Sequence, residues 1–304
     1  MSKIDKIEEL QNLLRNDVNN FQARRELAIL LMESGFNEES LKNLLYLSKY
    51  FDNDSGIFYN LGIVYEKLKQ FNRAKESYQK AIDIEPSSID AIYNLGLVYI
   101  ELKDWNNAID CFEKVIENDD KDSNSYFNLG LVYFKMKDYP NAIMYFQQTV
   151  DINDEDIYAH FYIGNILKEF GDLEGAKEEF LKVLKISPDY SWAYYNLAVI
   201  DYENDDFENA VENLNKTIEL NPTDIEAYKI LAQITSKQGY YAQAEEIIFN
   251  AIDYCGENGD LYYLVGQIAK NNAEIEKSKE YFNKALNNIK TLSVPINIVK
   301  SELS

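Results

Sequence analysis

Apolar and small residues return to fixed slots along this chain every 34 residues. Between Ser55 and Ser88 the slots hold Phe58, Leu61, Gly62 and Tyr65, then Ala74, Tyr78, Ala81 and Pro86. One period later they hold Ile92, Leu95, Gly96, Tyr99, Ala108, Phe112, Val115 and Asp120, and after another Tyr126, Leu129, Gly130, Tyr133, Ala142, Phe146, Thr149 and Asp154. Intervals of three and four within each half mark one face of a helix. Each period therefore predicts two helices of ~13 residues, too short to persist alone in water. Such units bury their apolar faces by stacking on their neighbours.

The register extends from 21 to 292 without insertion or deletion, as eight units: 21–54, 55–88, 89–122, 123–156, 157–190, 191–224, 225–258 and 259–292. The first is degenerate, with Leu27, Ala28 and Leu31 in the first-half slots and Ser40 where alanine is usual. The later ones keep Gly164, Ala176, Phe180 and Pro188; Tyr194, Leu197, Ala210 and Pro222; Tyr228, Leu231 and Ala244; Tyr262, Gly266, Phe282 and Ala285. A stack needs its ends covered. Residues 1–20, with Ile4, Ile7, Leu10, Leu13 and Leu14 on one helical face, predict an N-terminal capping helix. Residues 293–304, with Pro295, Ile296, Ile298 and Val299, fit either a C-terminal capping helix or a frayed tail.

The spacing large–x–x–Leu–Gly–x–x–Tyr, then Ala–x–x–x–Phe, then Pro, resembles the tetratricopeptide repeat family. The resemblance implies an all-α fold, an α-solenoid wound as a right-handed superhelix of helix–turn–helix repeats. Glycine in mid-helix costs ~1 kcal/mol against alanine. Its presence at Gly62, Gly96, Gly130, Gly164 and Gly266 predicts close packing of the second helix on the first, answered there by small residues such as Ala74 and Ala142. Gly35, Gly171 and Gly239 fall just after first helices, where a left-handed residue is common. Lys69, Lys103 and Lys137 occupy the same slot, so those turns are either strained or of another type. Pro140 suits a helix start, and Pro86, Pro188 and Pro222 suit helix stops.

Composition narrows the function. Hydrophobic residues make up 46% of the chain, enough for a packed core, and the formal net charge of −22 opposes nucleic acid and anionic lipid. It favours neutral, apolar or basic partners. Cys111 and Cys255 have no metal or redox spacing and read as inert thiols. The N-terminal stretch shows no signal-like apolar run, and no uncharged apolar run is long enough to span a membrane, so the expected location is cytoplasmic.

No catalytic constellation is present. The single histidine, His160, fills a packing slot whose counterparts are Phe58, Ile92, Tyr126 and Tyr194. Asp120, Asp122 and Asn124 alternate as in a calcium loop but lack the turn glycine, so this stretch reads as an inter-repeat turn with Asp122 or Ser123 as helix cap. Neither an enzyme, a metal site nor a cofactor is expected.

If the Leu–Gly–Tyr face packs, the intervening positions of each first helix face away from the stack. These are Tyr59, Asn60 and Ile63; Tyr93, Asn94 and Leu97, with Ile100; Phe127, Asn128, Leu131 and Phe134; Tyr158, Phe161 and Asn165; Trp192, Tyr195, Asn196, Val199 and Tyr202, with Tyr263. In the family resembled, such positions line a concave groove that binds peptides. The asparagines are similar to the ladder in the repeat region of O-linked N-acetylglucosamine transferases, whose catalytic domain has no counterpart within these 304 residues. An amide can pair bidentately with a peptide backbone, or satisfy local backbone groups instead. Carboxylate capture, as in chaperone-binding relatives, is disfavoured because Arg25, Lys229, Lys67 and Lys135 are scattered. Asp201 stands in a tyrosine slot, which predicts partial exposure or hydrogen bonding, or else a site feature near Trp192 and Tyr195. The expected role is a non-enzymatic scaffold binding a protein or peptide, extended or helical. Self-association of the solenoid and service as an accessory subunit of a separate enzyme are the alternatives.

Overall fold

The computed structural model describes residues 2–303, and these contain helices and turns with no strand. They form two compact units, dividing between Ala159 and His160. The first holds α1 (Lys3–Asn16) and four hairpins: α2 (Phe21–Glu33) with α3 (Asn37–Leu47), α4 (Ser55–Lys67) with α5 (Phe71–Ile84), α6 (Ile89–Glu101) with α7 (Trp105–Asn118), and α8 (Ser123–Lys135) with α9 (Tyr139–Ile152). The second unit opens within α10 (Ile157–Glu169). It continues with α11 (Leu173–Ile186), α12 (Ser191–Glu203), α13 (Phe207–Leu220), α14 (Ile225–Lys237), α15 (Tyr241–Cys255), α16 (Gly259–Asn271), α17 (Ile275–Asn287) and α18 (Ile296–Ser301). In each unit a helix packs chiefly on the one before and the one after it, as expected of an α-solenoid.

The mid-helix glycines do face the second helix, but what meets them is a ring rather than a small residue. A Cβ built on Gly62 would lie 2.4 Å from the Tyr78 ring, and one on Gly130 2.6 Å from Phe146. Gly96 meets Phe112, Gly164 meets Phe180 and Gly266 meets Phe282 in the same way. These rings are fully buried. Where the first helix carries alanine instead (Ala28, Ala198, Ala232), the facing slot holds the smaller Leu44, Leu214 or Ile248, also buried. Each repeat thus keeps the combined volume of the pair. Ala74 and Ala142 are buried beside these pairs rather than against the glycines.

The turns after first helices share one backbone conformation. Gly35, Gly171 and Gly239 have φ near +80°, and Lys69, Lys103, Lys137, Asp205 and Ala273 adopt φ between 56° and 61°. The lysines therefore use the same left-handed turn and bear its strain. Asp122 is the cap of α8, its carboxylate accepting from the Ser125 amide at 3.1 Å. Pro140 lies in the first turn of α9.

Both ends are covered. On α1, Ile7 and Leu10 are buried against Ala23, Leu27 and Leu31, with Leu14 packed alongside, whereas Ile4 and Leu13 stay exposed. The C-terminal stretch packs on the last hairpin: Val299 is buried with Tyr262, Phe282 and Ala285, Ser293 donates its amide to Asp260 at 2.7 Å, and Lys270 pairs with Glu302. No helix among the described residues is long and apolar enough to cross a membrane.

Candidate functional site

In each unit the outward positions of the first helices carry aromatic rings, five of which are seated on the buried ring of their own hairpin. Tyr59 packs on Tyr78 (5.9 Å between centroids), Tyr93 on Phe112 (5.7 Å) and Phe127 on Phe146 (5.5 Å). In the second unit Phe161 packs on Phe180 (5.9 Å) and Tyr263 on Phe282 (5.5 Å). These rings are half-buried, so each offers one face while the other supports the core. Ile63, Leu97 and Leu131 lie half-buried beside them, and Phe134 meets Tyr139 at a tilt of 53°, with centroids 5.7 Å apart. Tyr158 is 54% exposed and Trp192 52%, the most open of the row.

The asparagines are bound into the scaffold by rules the sequence partly encodes. Asn94 donates to the Tyr59 hydroxyl at 3.2 Å, and Asn128 to the Tyr93 hydroxyl at 3.0 Å. In each case a tyrosine is followed 35 residues later by an asparagine. Asn128 also donates to its own helix, to the Asn124 carbonyl at 2.9 Å, so both of its amide protons are engaged. Asn196 donates to the Trp192 carbonyl at 2.8 Å. The residue 35 positions before it is Phe161, which has no hydroxyl, and its oxygen accepts instead from Lys168. Asn128 and Asn196 are buried, which leaves them as braces rather than open bidentate ligands. Burial raises the pKa of Tyr93, with the Asn128 hydrogen bond opposing and Asp122 adding to the rise.

Hollows lie beside these rings in both units. In the first unit a cavity of about 340 Å³ is lined by Tyr93, Ile89 and Val115 together with Asp90, Asp119 and Asp122 and two asparagines. In the second a cavity of about 410 Å³ is lined by Phe161, Asn165, Tyr190, Trp192, Tyr195 and Asn196. Phe161 and Tyr190 meet edge-on at 5.4 Å, and Trp192 and Tyr195 at 6.4 Å. Five of these six stand among the sequence-predicted positions; Tyr190 does not. It sits in the slot that caps the following helix, where the other repeats carry Asp54, Ser88, Asp122, Asp156, Asp224 and Asn258, and an aromatic among capping residues was its signal. Val199 is half-buried, and Tyr202 is engaged by Lys237, whose ammonium donates to its hydroxyl at 3.0 Å. Tyr59, Asn60, Ile63, Asn94 and Leu97 lie in the first unit, so the row comprises two sets of residues, one in each unit.

The remaining polar residues singled out by sequence belong to the packing. His160 is buried, with Nδ1 2.6 Å from Glu179 Oε2. Burial pushes the Glu179 carboxyl up, but hydrogen bonds from His160 and Lys182 prevail and hold it below the usual glutamate range. Asp201 is buried, paired with Lys177 at 2.6 Å and accepting from Asn213 at 3.0 Å. Its partners come from second helices, so it is a packing feature and not part of the aromatic hollow. Cys111 is buried and its thiol is pushed up to about 11 by that burial. Among the described residues no group of histidine, cysteine or carboxylate side chains could hold a metal ion.

Comparison with known proteins agrees with this architecture. Tetratricopeptide repeat models match residues 56–88, 88–155, 167–234 and 259–289. No curated protein sequence matches. Among solved structures, MamA (41-end) from Desulfovibrio magneticus RS-1 is 26% identical, with a TM-score of 0.54, over 57% of this chain and 97% of that one. YrrB, described as a TPR protein with an unusual peptide-binding site, is 27% identical, with a TM-score of 0.50, over 60% of this chain and 95% of its own. A TPR repeat-containing protein from Cytophaga hutchinsonii, solved as its C-terminal part, shares the fold at 20% identity and a TM-score of 0.64, over 75% and 94%. With four matches spread over both units and the repeat geometry in place, the chain belongs to the tetratricopeptide repeat family.

Proposed function

We propose that this protein is a non-enzymatic interaction scaffold that holds a protein or peptide segment against the aromatic row of its first helices. The half-exposed rings of Tyr93, Phe127 and Phe161, each fixed from behind by a buried ring, carry the reading: rigid aromatic surface anchors a partner at low cost in side-chain entropy. The amides of Asn94 and Asn128 hold the tyrosine rings in place, so the surface is ready before a partner arrives. The peptide-binding site named for YrrB is consistent with this role.

The test uses a photo-crosslinking phenylalanine analogue placed at Leu131, on the row, or at the exposed Lys114 of α7. In lysate of the source cells, the Leu131 probe is expected to capture a partner that the Lys114 probe does not. Capture at Lys114 alone would move the interaction off the row. Capture of a second copy of this chain at Leu131 would replace the scaffold reading with self-association.

A further inference from the structure

The hollow of the second unit differs in kind from the rest of the row. At the position where other repeats place Ile63, Leu97 and Leu131, it has Asn165, and at the position of Gly56, Asp90 and Asn124 it has Trp192. Its lining is four aromatic rings and two amides, with no aliphatic and no charged side chain. A hollow walled by ring faces and edges suits a flat or cationic group. The rings stand at steep angles to one another, 71° for Phe161 and Tyr190 and 82° for Trp192 and Tyr195, so they form walls rather than a single stacked platform.

Charge selects between flat and cationic. The protein carries a net −22, and the Tyr195 hydroxyl is pushed up by burial first, then by Glu226, itself paired with Lys229, and by Asp224. One cation touches the lining: Lys168 donates to Asn196, and burial lowers its pKa. It is tied to the amide oxygen and is itself under the influence of Glu169 and Glu203.

We infer that the hollow between Phe161, Tyr190, Trp192 and Tyr195 is an aromatic cage for an arginine side chain of a basic, extended segment. The assignment rests on the scaffold reading and specifies its ligand. A guanidinium is weakly hydrated and planar, so it can lie against a ring face while its N–H groups point to an amide oxygen such as that of Asn165. The acidic net charge of the chain raises its local concentration.

The test measures anisotropy of dye-labelled glycine–serine peptides that differ only in carrying arginine, citrulline or leucine, against the full chain and its Trp192→Phe and Trp192→Leu variants. Citrulline keeps the shape of arginine without the charge. The arginine peptide is expected to bind about tenfold more tightly than the citrulline peptide. Trp192→Leu is expected to weaken it about fivefold or more, and Trp192→Phe by less. Because Trp192 is half exposed and uncharged, neither change alters the general attraction of an acidic surface for a basic peptide. Arginine binding indifferent to Trp192→Leu would reduce the effect to that attraction and overturn the cage. Equal binding of arginine and citrulline peptides would also overturn it. A leucine peptide bound most tightly and lost in Trp192→Leu would sink the cation assignment while leaving the scaffold reading intact. Absence of binding by all three up to ~1 mM would reject the cage, and the Leu131 crosslink would then decide the scaffold reading separately.

Discussion

At the scale of single residues, this protein is governed by volume matching. Gly130 and Phe146 occupy space that would otherwise hold a methyl group and a smaller side chain. Gly130→Ala raises helix propensity by about 1 kcal/mol, yet the new Cβ would sit 2.6 Å from the ring. Overpacking of this kind costs ~1–3 kcal/mol, and a 2.6 Å approach to a fully buried ring belongs at the upper end, so a net loss of about 1–2 kcal/mol is expected in urea denaturation. Adding Phe146→Leu should recover part of it, since Ala198 with Leu214 already shows that pairing buried in another repeat. If Gly130→Ala were as stable as the parent, ring crowding would not be the reason for the glycine.

Two glutamates show opposite electrostatic logic. Burial raises the Glu66 carboxyl above its ordinary value, against the hydrogen bond from the Tyr78 hydroxyl at 3.1 Å. A folded-state pKa above the unfolded one means that ionised Glu66 opposes folding at neutral pH, and that this penalty fades as pH falls through the folded value. Glu66→Gln should therefore stabilise the protein at pH 7 and lose its advantage in acid, as melting temperature against pH would show. Glu179 is lowered, so its contribution is present above the unfolded glutamate pKa and is lost as pH falls through the folded value. Glu179→Gln should flatten the acid limb of the same curve.

At the scale of elements, turns and caps carry the predictions. Lys103 and Ala273 hold φ values of 58° and 59° in turns where Gly35 and Gly171 stand elsewhere. A left-handed residue with a side chain costs ~1–2 kcal/mol, and glycine removes that cost while adding unfolded-state entropy. Lys103→Gly or Ala273→Gly should thus gain about 0.5–1 kcal/mol, readable as a rise in denaturation midpoint at constant slope. The cap α18 depends on Val299, buried against Tyr262 and Phe282. Val299→Ala should cost about 2 kcal/mol and, more specifically, speed amide hydrogen exchange in α17 before it affects α2.

At the scale of the whole molecule, charge dominates. A net charge of −22 on 304 residues is self-repelling. Added sodium chloride should raise the melting temperature through screening, while weakening any basic ligand held on the aromatic row. Opposite signs of salt dependence for folding and for binding are the expected signature of this composition.

The fold was legible because the period is unbroken: from Phe21 onward, each shift of 34 residues returns the same kind of side chain to the same slot, and stacking is the one way short amphipathic helices in such an array bury their faces. The positions of Tyr93 and Phe127 beside the Leu–Gly–Tyr face follow from the same register, although their packing on Phe112 and Phe146 does not. What the linear order withheld was partnership. That Gly62 answers Tyr78 rather than Ala74, that Asn128 braces Tyr93 from the next repeat, and that Lys177 neutralises Asp201 all depend on distances between helices, which periodicity does not specify. Tyr190 is hidden in the linear order for the same reason: its slot is a capping position, and it enters the hollow because Phe161 packs against it. Local preference and spacing settle which residues make helices and which faces are apolar. Which side chains meet, and hence which surface is free to bind, is decided by close packing in three dimensions.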